Sequence, residues 1–359
     1  MNIGIMSSKN TSLKGGPKAF MDRLEKELDS RGILHETDYS AWLNLSFRKI
    51  PKDVLSKNVF IVARFDGIWN DILIESQVGK VPTLFNRSYF NLRNRVLIRN
   101  CSLAAAYIFQ SNYCEELCRR FLPGISANKK STVIYNGVDL DHFSPCSRGW
   151  ESEGKKTLRI LVSHKMWPSK RFFQIPAIVK KLKEEGWRVR VNVLGDGVVN
   201  PLYFFSDSLL YFQSVVRSLS LDDEFIFWGH VSHDKLPDFY RDNDIMLNLS
   251  FADPCPNVVV EAMACGLPVI GPSTGGLAEL VGHTFSLVDE RVDPYKKYST
   301  WRYSGFPVVN VSDYVSAIYR TLDDFGSESE RVRAMAESNY NIKFVADKYI
   351  EFMQSVVPA

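Results

Sequence analysis

Short apolar runs alternate with stretches of helical periodicity along the first part of the chain. The apolar runs predict strands over residues 2–6, 59–64, 82–85, 105–109 and 132–135. Helical spacing of apolar residues predicts helices over 18–28, 91–99 and 113–121. The strand segments show little alternation of apolar and polar residues, which is typical of parallel sheets that are covered on both faces.

The same alternation begins again near residue 158. Strands are predicted over 159–162, 188–194, 224–228, 245–249 and 269–271, and helices over 172–185, 236–240 and 257–265. This pattern predicts an α/β protein with two Rossmann-like, doubly wound parallel-sheet domains. Pro145 and two glycines mark 143–156 as the linker. The predicted boundaries are 1–150, 151–335 and a helical end segment, 336–359.

Composition supports two folded domains and excludes several other classes of protein. The chain has 359 residues, of which 45% are hydrophobic and 24% charged, so two cores can be filled. No apolar run approaches the roughly 20 residues that cross a bilayer. Residues 1–6 resemble a buried strand and lack the features of a signal peptide. The six cysteines form no C-x-x-C pair, which indicates a reducing, cytoplasmic setting.

Charge is distributed unevenly between the two halves. Residues 1–150 carry 21 Lys and Arg against 14 Asp and Glu, whereas the remaining residues carry 23 against 27. A basic first half would suit peripheral contact with an anionic membrane surface or an anionic acceptor, and chance scatter on a solvated face explains it equally well. The charge is too modest and too dispersed to indicate nucleic-acid binding.

Two loops at predicted strand ends could bind phosphate. Gly15 and Gly16 precede the first long helix, where backbone N–H groups and the helix dipole favour an anion. Lys165 and Lys170 follow the first strand of the second domain and could hold a diphosphate as point charges. Each loop is equally open to a simpler interpretation, as a turn or as a solvated charged loop.

The segment 250–279 carries the strongest signal. A polar loop with Asp253 leads into a short apolar helix that contains Glu261, and a Gly-Gly loop follows at 275–276. A carboxylate is costly to bury without partners. Glu261 therefore either points outward or accepts hydrogen bonds from donors such as ribose hydroxyls.

These motifs resemble those of the retaining glycosyltransferases of family 4, which have the GT-B fold. The resemblance rests on the acidic residue Asp253 (usually Glu), on Glu261 eight positions later, and on the Ala-Met-Ala-x-Gly-x-Pro-Val-Ile run after it. Further landmarks are Asn136-Gly137-Val138-Asp139, Gly195-Asp196-Gly197 and Phe227-Trp228-Gly229-His230. The landmarks run in the family's order from residue 1 to about residue 282.

The resemblance implies a site for a nucleotide-sugar donor, UDP- or GDP-linked, in the second domain. Glu261 would bind the ribose, Asp253 the transferred sugar, and Lys165 and Lys170 the diphosphate. The remaining donor-binding candidates are Gly15, Gly16, Gly229, His230, Pro256, Asn257 and Val258. A glycan or a lipid-linked molecule would be the acceptor in the first domain, and the terminal helix would pack back on that domain.

One departure from the family concerns the catalytic centre. Many members carry a His after a middle strand of the first domain, and this chain has no His between His35 and His142. Arg64-Phe65-Asp66-Gly67 follows a predicted strand there, as in one branch of the family. Asp66 is therefore the catalytic or acceptor-orienting candidate, beside Asp253 and Lys170, although an Asp before Gly is also a common turn. Asn86 and Arg87 are lesser candidates.

No cofactor or metal ion is expected, because fixed cations can stabilise the leaving diphosphate. The D-x-D sequence at Asp139–Asp141 belongs to the motif that closes the first domain. Three alternatives remain open: a nucleotide-sugar epimerase, a phosphorylase of the same fold, and a non-catalytic nucleotide-sugar-binding protein. The absent His and the presence of Asp253 in place of Glu favour the last.

Overall fold

The structure, a computed structural model, describes residues 2–6, 16–68, 94–145, 157–199, 207–282, 284, 286–295 and 306–357. The predicted strand 82–85 and the candidates Gly15, Asn86 and Arg87 lie outside these residues. Within them, no helix is both long and apolar enough to cross a membrane.

The first domain contains a five-stranded sheet in which every pairing is parallel. Its strands run in spatial order β1 (Ile3–Ile5), β2 (Ala41–Leu45), β3 (Phe60–Phe65), β4 (Ala106–Phe109) and β5 (Lys130–Val133). Its helices are α1 (Gly16–Ser30), α2 (Lys52–Ser56), α3 (94–103) and α4 (Asn112–Phe121). Nearly all side chains of β1 to β4 are buried, as expected for a sheet covered on both faces.

The second domain contains a six-stranded parallel sheet in the order β11-β10-β9-β6-β7-β8. The strands are β6 (Thr157–Ser163), β7 (Arg188–Leu194), β8 (Phe225–Gly229), β9 (Ile245–Leu247), β10 (Val269–Pro272) and β11 (Leu287–Val288). The helices are α5 (Ile175–Glu184), α6 (Ser208–Ser218), α7 (Leu236–Asp242), α8 (Asn257–Ala264) and α9 (Gly275–Val281). The order of the strands reverses between β6 and β9, which is where open α/β sheets bind ligands.

The helical tail returns to the first domain. It consists of α10 (Val311–Asp323), α11 (Phe325–Asn339) and α12 (Ile342–Val356). Val138 pairs with the break before α12, since its N–H donates to the Tyr340 carbonyl at 2.7 Å. The ring of Tyr349 on α12 then packs 6.1 Å from that of Phe20 on α1. The predicted architecture of two α/β domains with a crossing terminal helix is confirmed.

Among the elements that were not predicted, β2 and α6 were missed for identifiable reasons. In β2 the polar Asn44 interrupts an apolar run, but it is buried because its amide donates to the carbonyls of Leu45 and Arg48. Helix α6 follows the apolar and aromatic residues 202–205, which obscure its own periodicity. Its cap was nevertheless readable: the Asp207 carboxylate accepts from the N–H groups of Leu209 and Leu210.

Candidate functional site

Lys170 and Asp253 meet at the carboxyl ends of β6 and β9, beside the point where the strand order reverses. The loop after β6 ends in a 3₁₀ turn at Pro168–Lys170, and the loop after β9 is bound to it by the Phe251 N–H, which donates to the Ser169 carbonyl at 2.8 Å. The Lys170 ammonium forms an ion pair with the Asp253 carboxylate. Both side chains remain partly exposed, so a ligand can reach them.

Glu261 is buried, and its carboxylate accepts two hydrogen bonds. Helix α8 is apolar on nearly every side, and Glu261 on it is only 3% exposed. Its Oε1 accepts from Arg23 Nη2 of the first domain at 3.0 Å, and its Oε2 accepts from the Tyr240 hydroxyl at 3.0 Å. A carboxylate has about four acceptor positions. The two that remain could accept hydrogen bonds from a vicinal diol.

The partners of Glu261 orient its carboxylate and donate hydrogen bonds to it. Burial and the neighbouring carboxylate raise the pKa of the Tyr240 hydroxyl well above its usual range, so this group stays protonated and donates. Arg23 also donates from Nε to the Ala19 carbonyl at 3.0 Å, which fixes it on α1. Its Nη1 is buried and has no hydrogen-bond partner among the described residues.

Asp66 lies at the end of β3, on the surface of the first domain that faces the second domain. It pairs with Arg64, a fully buried residue whose Nε donates to the Tyr349 hydroxyl at 2.7 Å and which also donates to Asn136. The guanidinium of Arg64 lies 4.3 Å from the ring centre of Phe20. One carboxylate oxygen of Asp66, Oδ2, has no partner in the described part of the chain. It is therefore available to an incoming group.

The two domains contact each other closely beside Asp66 and Asp253. Gly67 has φ of +110°, and a Cβ on it would lie 2.9 Å from Pro254 Cγ, so the end of β3 faces the Asp253–Pro254 loop directly. Asn257 bridges the domains: its amide donates to the Gly16 carbonyl at 2.7 Å and its oxygen accepts from Asn136 at 2.7 Å.

The remaining predicted donor-binding residues lie at the start of α8, in the loop after β6 and at the end of β8. Pro256 is the N-cap of α8, and the N–H groups of Asn257 and Val258 in its first turn have no intrahelical acceptor. The Lys165 ammonium lies 5.5 Å from the Trp167 ring centre. Gly229, with φ of +65°, accepts from the Gly195 N–H, and the exposed His230 ring lies 3.9 Å from Asp196. Their roles in donor binding stay predictions.

Four further site residues were not predicted: Arg23, Asn136, Tyr240 and His164. Arg23 and Tyr240 act on Glu261 from distant parts of the chain. His164 follows β6 and is 8% exposed, and neither ring nitrogen has a side-chain partner among the described residues. Burial, and then the charge of Lys170, lower the pKa of His164 to about 3, so its imidazole is neutral. Its position directly after a strand end was the readable signal.

Carboxylates of the D-x-D sequence are engaged in local structure. Asp139 Oδ1 accepts from the N–H groups of Asp141 and His142, and Asp141 pairs with Lys343 at 3.2 Å. Elsewhere, His142, His233 and Asp234 place ligand atoms within 4.8 Å of one another, as a metal ion would require. The two imidazoles stack 4.8 Å apart at 10°, a geometry that also occurs without a metal ion.

Residues 159–297, the greater part of the second domain, match the family described as Glycosyl transferases group 1. The second domain is thus similar to this family. The match includes Lys165, Lys170, Asp253 and Glu261, so the residues that meet at the β6–β9 edge lie within the region that identifies the family.

Curated relatives align with the chain over part of its length. It is 23% identical over 262 residues to the gpi3 subunit of the phosphatidylinositol N-acetylglucosaminyltransferase of Schizosaccharomyces pombe, covering 69% of this chain and 54% of the relative. It is 31% identical over 165 residues to the D-inositol 3-phosphate glycosyltransferase of Kineococcus radiotolerans, covering 42% and 36%. The chain thus spans about half or less of these relatives.

Solved structures cover nearly the whole chain. The sucrose-phosphate synthase of Thermosynechococcus elongatus superposes with a TM-score of 0.72 at 15% identity, covering 99% of this chain and 98% of that one. HepE of Anabaena, solved in complex with UDP-glucose, superposes with a TM-score of 0.66 at 14% identity, covering 98% and 99%. At such identities the likeness establishes the fold, which is GT-B.

Proposed function

We propose that this protein transfers a sugar from a nucleotide-diphosphate sugar to a hydroxyl group, with retention of the anomeric configuration and without a metal ion. The observation that carries the proposal is that Glu261, Lys170 and Asp253 lie together beyond the carboxyl ends of β6 and β9. Asp66 lies on the surface of the first domain that faces them. A diol-binding carboxylate, a cation and a second carboxylate match the ribose, diphosphate and sugar of such a donor.

Glu261 supplies the ribose contact. Arg23 forms a buried ion pair with its carboxylate, and two acceptor positions remain for the 2′- and 3′-hydroxyls. Since Arg23 belongs to the first domain, donor binding at Glu261 depends on both domains being together.

Lys170 and Asp253 exchange partners when the donor binds. In the structure the ammonium and the carboxylate neutralise each other. A donor would place its diphosphate near Lys170 and its sugar hydroxyls near Asp253, and each group would gain a hydrogen-bonded partner in place of the other. The ammonium then stabilises the negative charge that develops on the diphosphate as the glycosidic bond breaks.

The reaction that this arrangement supports is attack from the face that the diphosphate leaves. The acceptor oxygen forms a bond to the anomeric carbon, the bond from that carbon to the diphosphate oxygen breaks, and the acceptor proton passes to the diphosphate. Asp66, with one free carboxylate oxygen, would orient the acceptor hydroxyl by accepting its hydrogen bond. Because HepE was solved with UDP-glucose bound, a UDP-sugar is the first donor to test.

The proposal can be tested with purified protein, a panel of UDP-, GDP-, dTDP- and ADP-sugars, and EDTA throughout. We expect one class of donor to raise the melting temperature and to be slowly hydrolysed. Lys170→Met should abolish the shift by the matching nucleoside diphosphate, whereas Lys180→Met, at an exposed lysine of α5, should not. If no donor is bound, or if binding requires an added metal ion, the proposed donor site is wrong. Binding without turnover would favour the non-catalytic alternative.

A further inference from the structure

A cavity of about 710 Å³ opens between the two domains beside the Asp253 loop. It lies between the start of α4, the loop at 273–275 and the segment that follows β11. Its lining includes two tyrosines, Tyr113 and Tyr295, Thr274, and several charged side chains. The cavity is large enough for a monosaccharide or a disaccharide.

The cavity adjoins the sugar end of the proposed donor. Its wall at Gly275 rests on the donor loop: a Cβ on Gly275 would lie 2.9 Å from the Asp253 carbonyl, and the N–H of Gly276 donates to that carbonyl at 2.8 Å. The residues assigned to the ribose, Glu261 and its partners Arg23 and Tyr240, do not line the cavity. A molecule held there would therefore lie beside the loop that carries Asp253 rather than next to the nucleoside, although the side chains of Asp253, Lys170 and Asp66 are not in the lining.

Two hydroxyl groups in the lining lack partners. The Tyr113 hydroxyl and Thr274 Oγ1 are buried, and neither has a hydrogen-bond partner among the described residues. Their side chains are 5% and 8% exposed, and Tyr113 is fixed by packing against Tyr295 at 5.1 Å between ring centres. Buried hydroxyls are normally paired, so these two indicate a ligand that brings its own hydroxyl groups.

The net charge around the cavity favours some of these ligands over others. Four carboxylates line it, from Glu115, Glu116, Glu279 and Asp289, against the single cation of Arg119. Arg119 pairs with Glu115, and Arg120, which lies over the Tyr295 ring just outside the lining, pairs with Glu116, so a surplus of two carboxylates remains. A phosphorylated molecule would meet repulsion here without a free cation in the lining to offset it, whereas an ammonium group would be attracted.

We propose that this cavity is the acceptor subsite and that its acceptor is a polyol without phosphate, favoured further when it carries an amino group. The inference rests on the proposed transferase function. Tyr113 and Thr274 would hydrogen-bond the acceptor's hydroxyls, and the surplus of carboxylates would exclude anionic acceptors.

The experiment uses the full chain, the donor that it hydrolyses, and three acceptors on one ring: D-glucosamine, D-glucose and D-glucose 6-phosphate. Transfer products are measured by mass spectrometry. We expect kcat/KM to fall in that order, with at least about a tenfold gap between glucosamine and the phosphate ester. Glu116→Gln with Asp289→Asn should reduce this difference in kcat/KM. Asp323→Asn with Glu330→Gln, two exposed changes that remove the same charge, should leave it unchanged.

Tyr113→Phe separates this inference from the proposed function. It should raise the KM for the acceptor roughly two- to tenfold while donor hydrolysis in the absence of acceptor stays at the wild-type rate. Preference for the phosphate ester, transfer to none of the three acceptors, or an unchanged acceptor KM in Tyr113→Phe would overturn the subsite. Loss of donor hydrolysis in the wild type would overturn the proposed function itself.

Discussion

Arg23 of the first domain and Glu261 of the second form an ion pair in which Nη2 and Oε1 are 3.0 Å apart and both side chains are more than nine-tenths buried. The residue assigned to the donor's ribose is therefore held by the opposite domain. Tyr240 completes its environment from α7. Formation of the donor site and closure of the cleft are parts of one structural event, because an open cleft would leave both charges without partners.

Replacing Glu261 should lower the free energy of unfolding and should also prevent donor binding. Glu261→Ala leaves the Arg23 guanidinium buried and unpaired, so we expect the free energy of unfolding to fall by about 3–5 kcal/mol. The double variant Arg23→Met/Glu261→Gln should recover most of that loss without recovering donor affinity. Urea denaturation and calorimetric donor titration measure the two effects. Recovery of donor affinity in the double variant would contradict the assignment of Glu261.

Asp253→Asn should affect the nucleoside diphosphate and the nucleotide sugar in opposite ways. The change releases Lys170 from its ion pair, so the diphosphate no longer competes with Asp253 for the ammonium and should bind at least as tightly as before. The sugar loses a charged acceptor worth about 1.5–3 kcal/mol, so donor turnover should fall about 10- to 100-fold. Equal weakening of both ligands would mean that Asp253 only positions Lys170.

Asp66→Asn should reduce turnover while leaving the fold and donor affinity intact. The side chain keeps its size and can still accept a hydrogen bond from Arg64, which Tyr349 and Asn136 also hold. We expect kcat to fall by a factor of about 10² to 10⁴. Asp53→Asn, on the exposed face of α2, is the matched control. A lowered melting temperature with unchanged kcat would identify Asp66 as a turn residue instead.

Acid should destabilise the protein partly through His164. The unfolded chain takes up a proton on this residue below about pH 6.5, and the folded protein resists it until about pH 3. The free energy of unfolding therefore falls as the pH is lowered through this window, by up to about 1.4 kcal/mol per pH unit from this residue. His164→Gln should flatten the dependence between pH 7.5 and 5, measured by urea denaturation. His230→Gln, at an exposed histidine, is the control. If the free energy of unfolding of His164→Gln depends on pH as steeply as that of the wild type, His164 is not the source of this pH dependence.

The sequence predicts the fold well because strand and helix patterns are local. The run at 188–194 was predicted with the bounds that the structure has. Lys170 and Asp253 lie in the loops that follow two neighbouring strands, and Glu261 lies on the helix after the second loop, so the topology brings the three together. Glu261 illustrates what local patterns can predict. Its apolar helix indicated a need for donors, but not that Arg23, 238 positions earlier, is one of them.

The remaining site residues depend on contacts between domains, which no periodicity records. Asn136, Asn257 and Gly16 meet only because the two sheets face each other, and although the sequence singled out each of them, it did not indicate that they contact one another. The cavity beside Asp253 has the same origin. Its lining comes from α4, from the loop after β10 and from the segment after β11, so its acidic character cannot be read from any one of them.

The central claim is retaining transfer from a nucleotide sugar, and the anomeric configuration of the first-formed product tests it most directly. With the α-linked donor that the protein hydrolyses, proton NMR recorded before mutarotation should show the α-anomer of the released or transferred sugar, in the presence of EDTA. The β-anomer as first product would contradict retention. The absence of turnover with every donor that binds would contradict the enzyme itself and leave a nucleotide-sugar-binding protein.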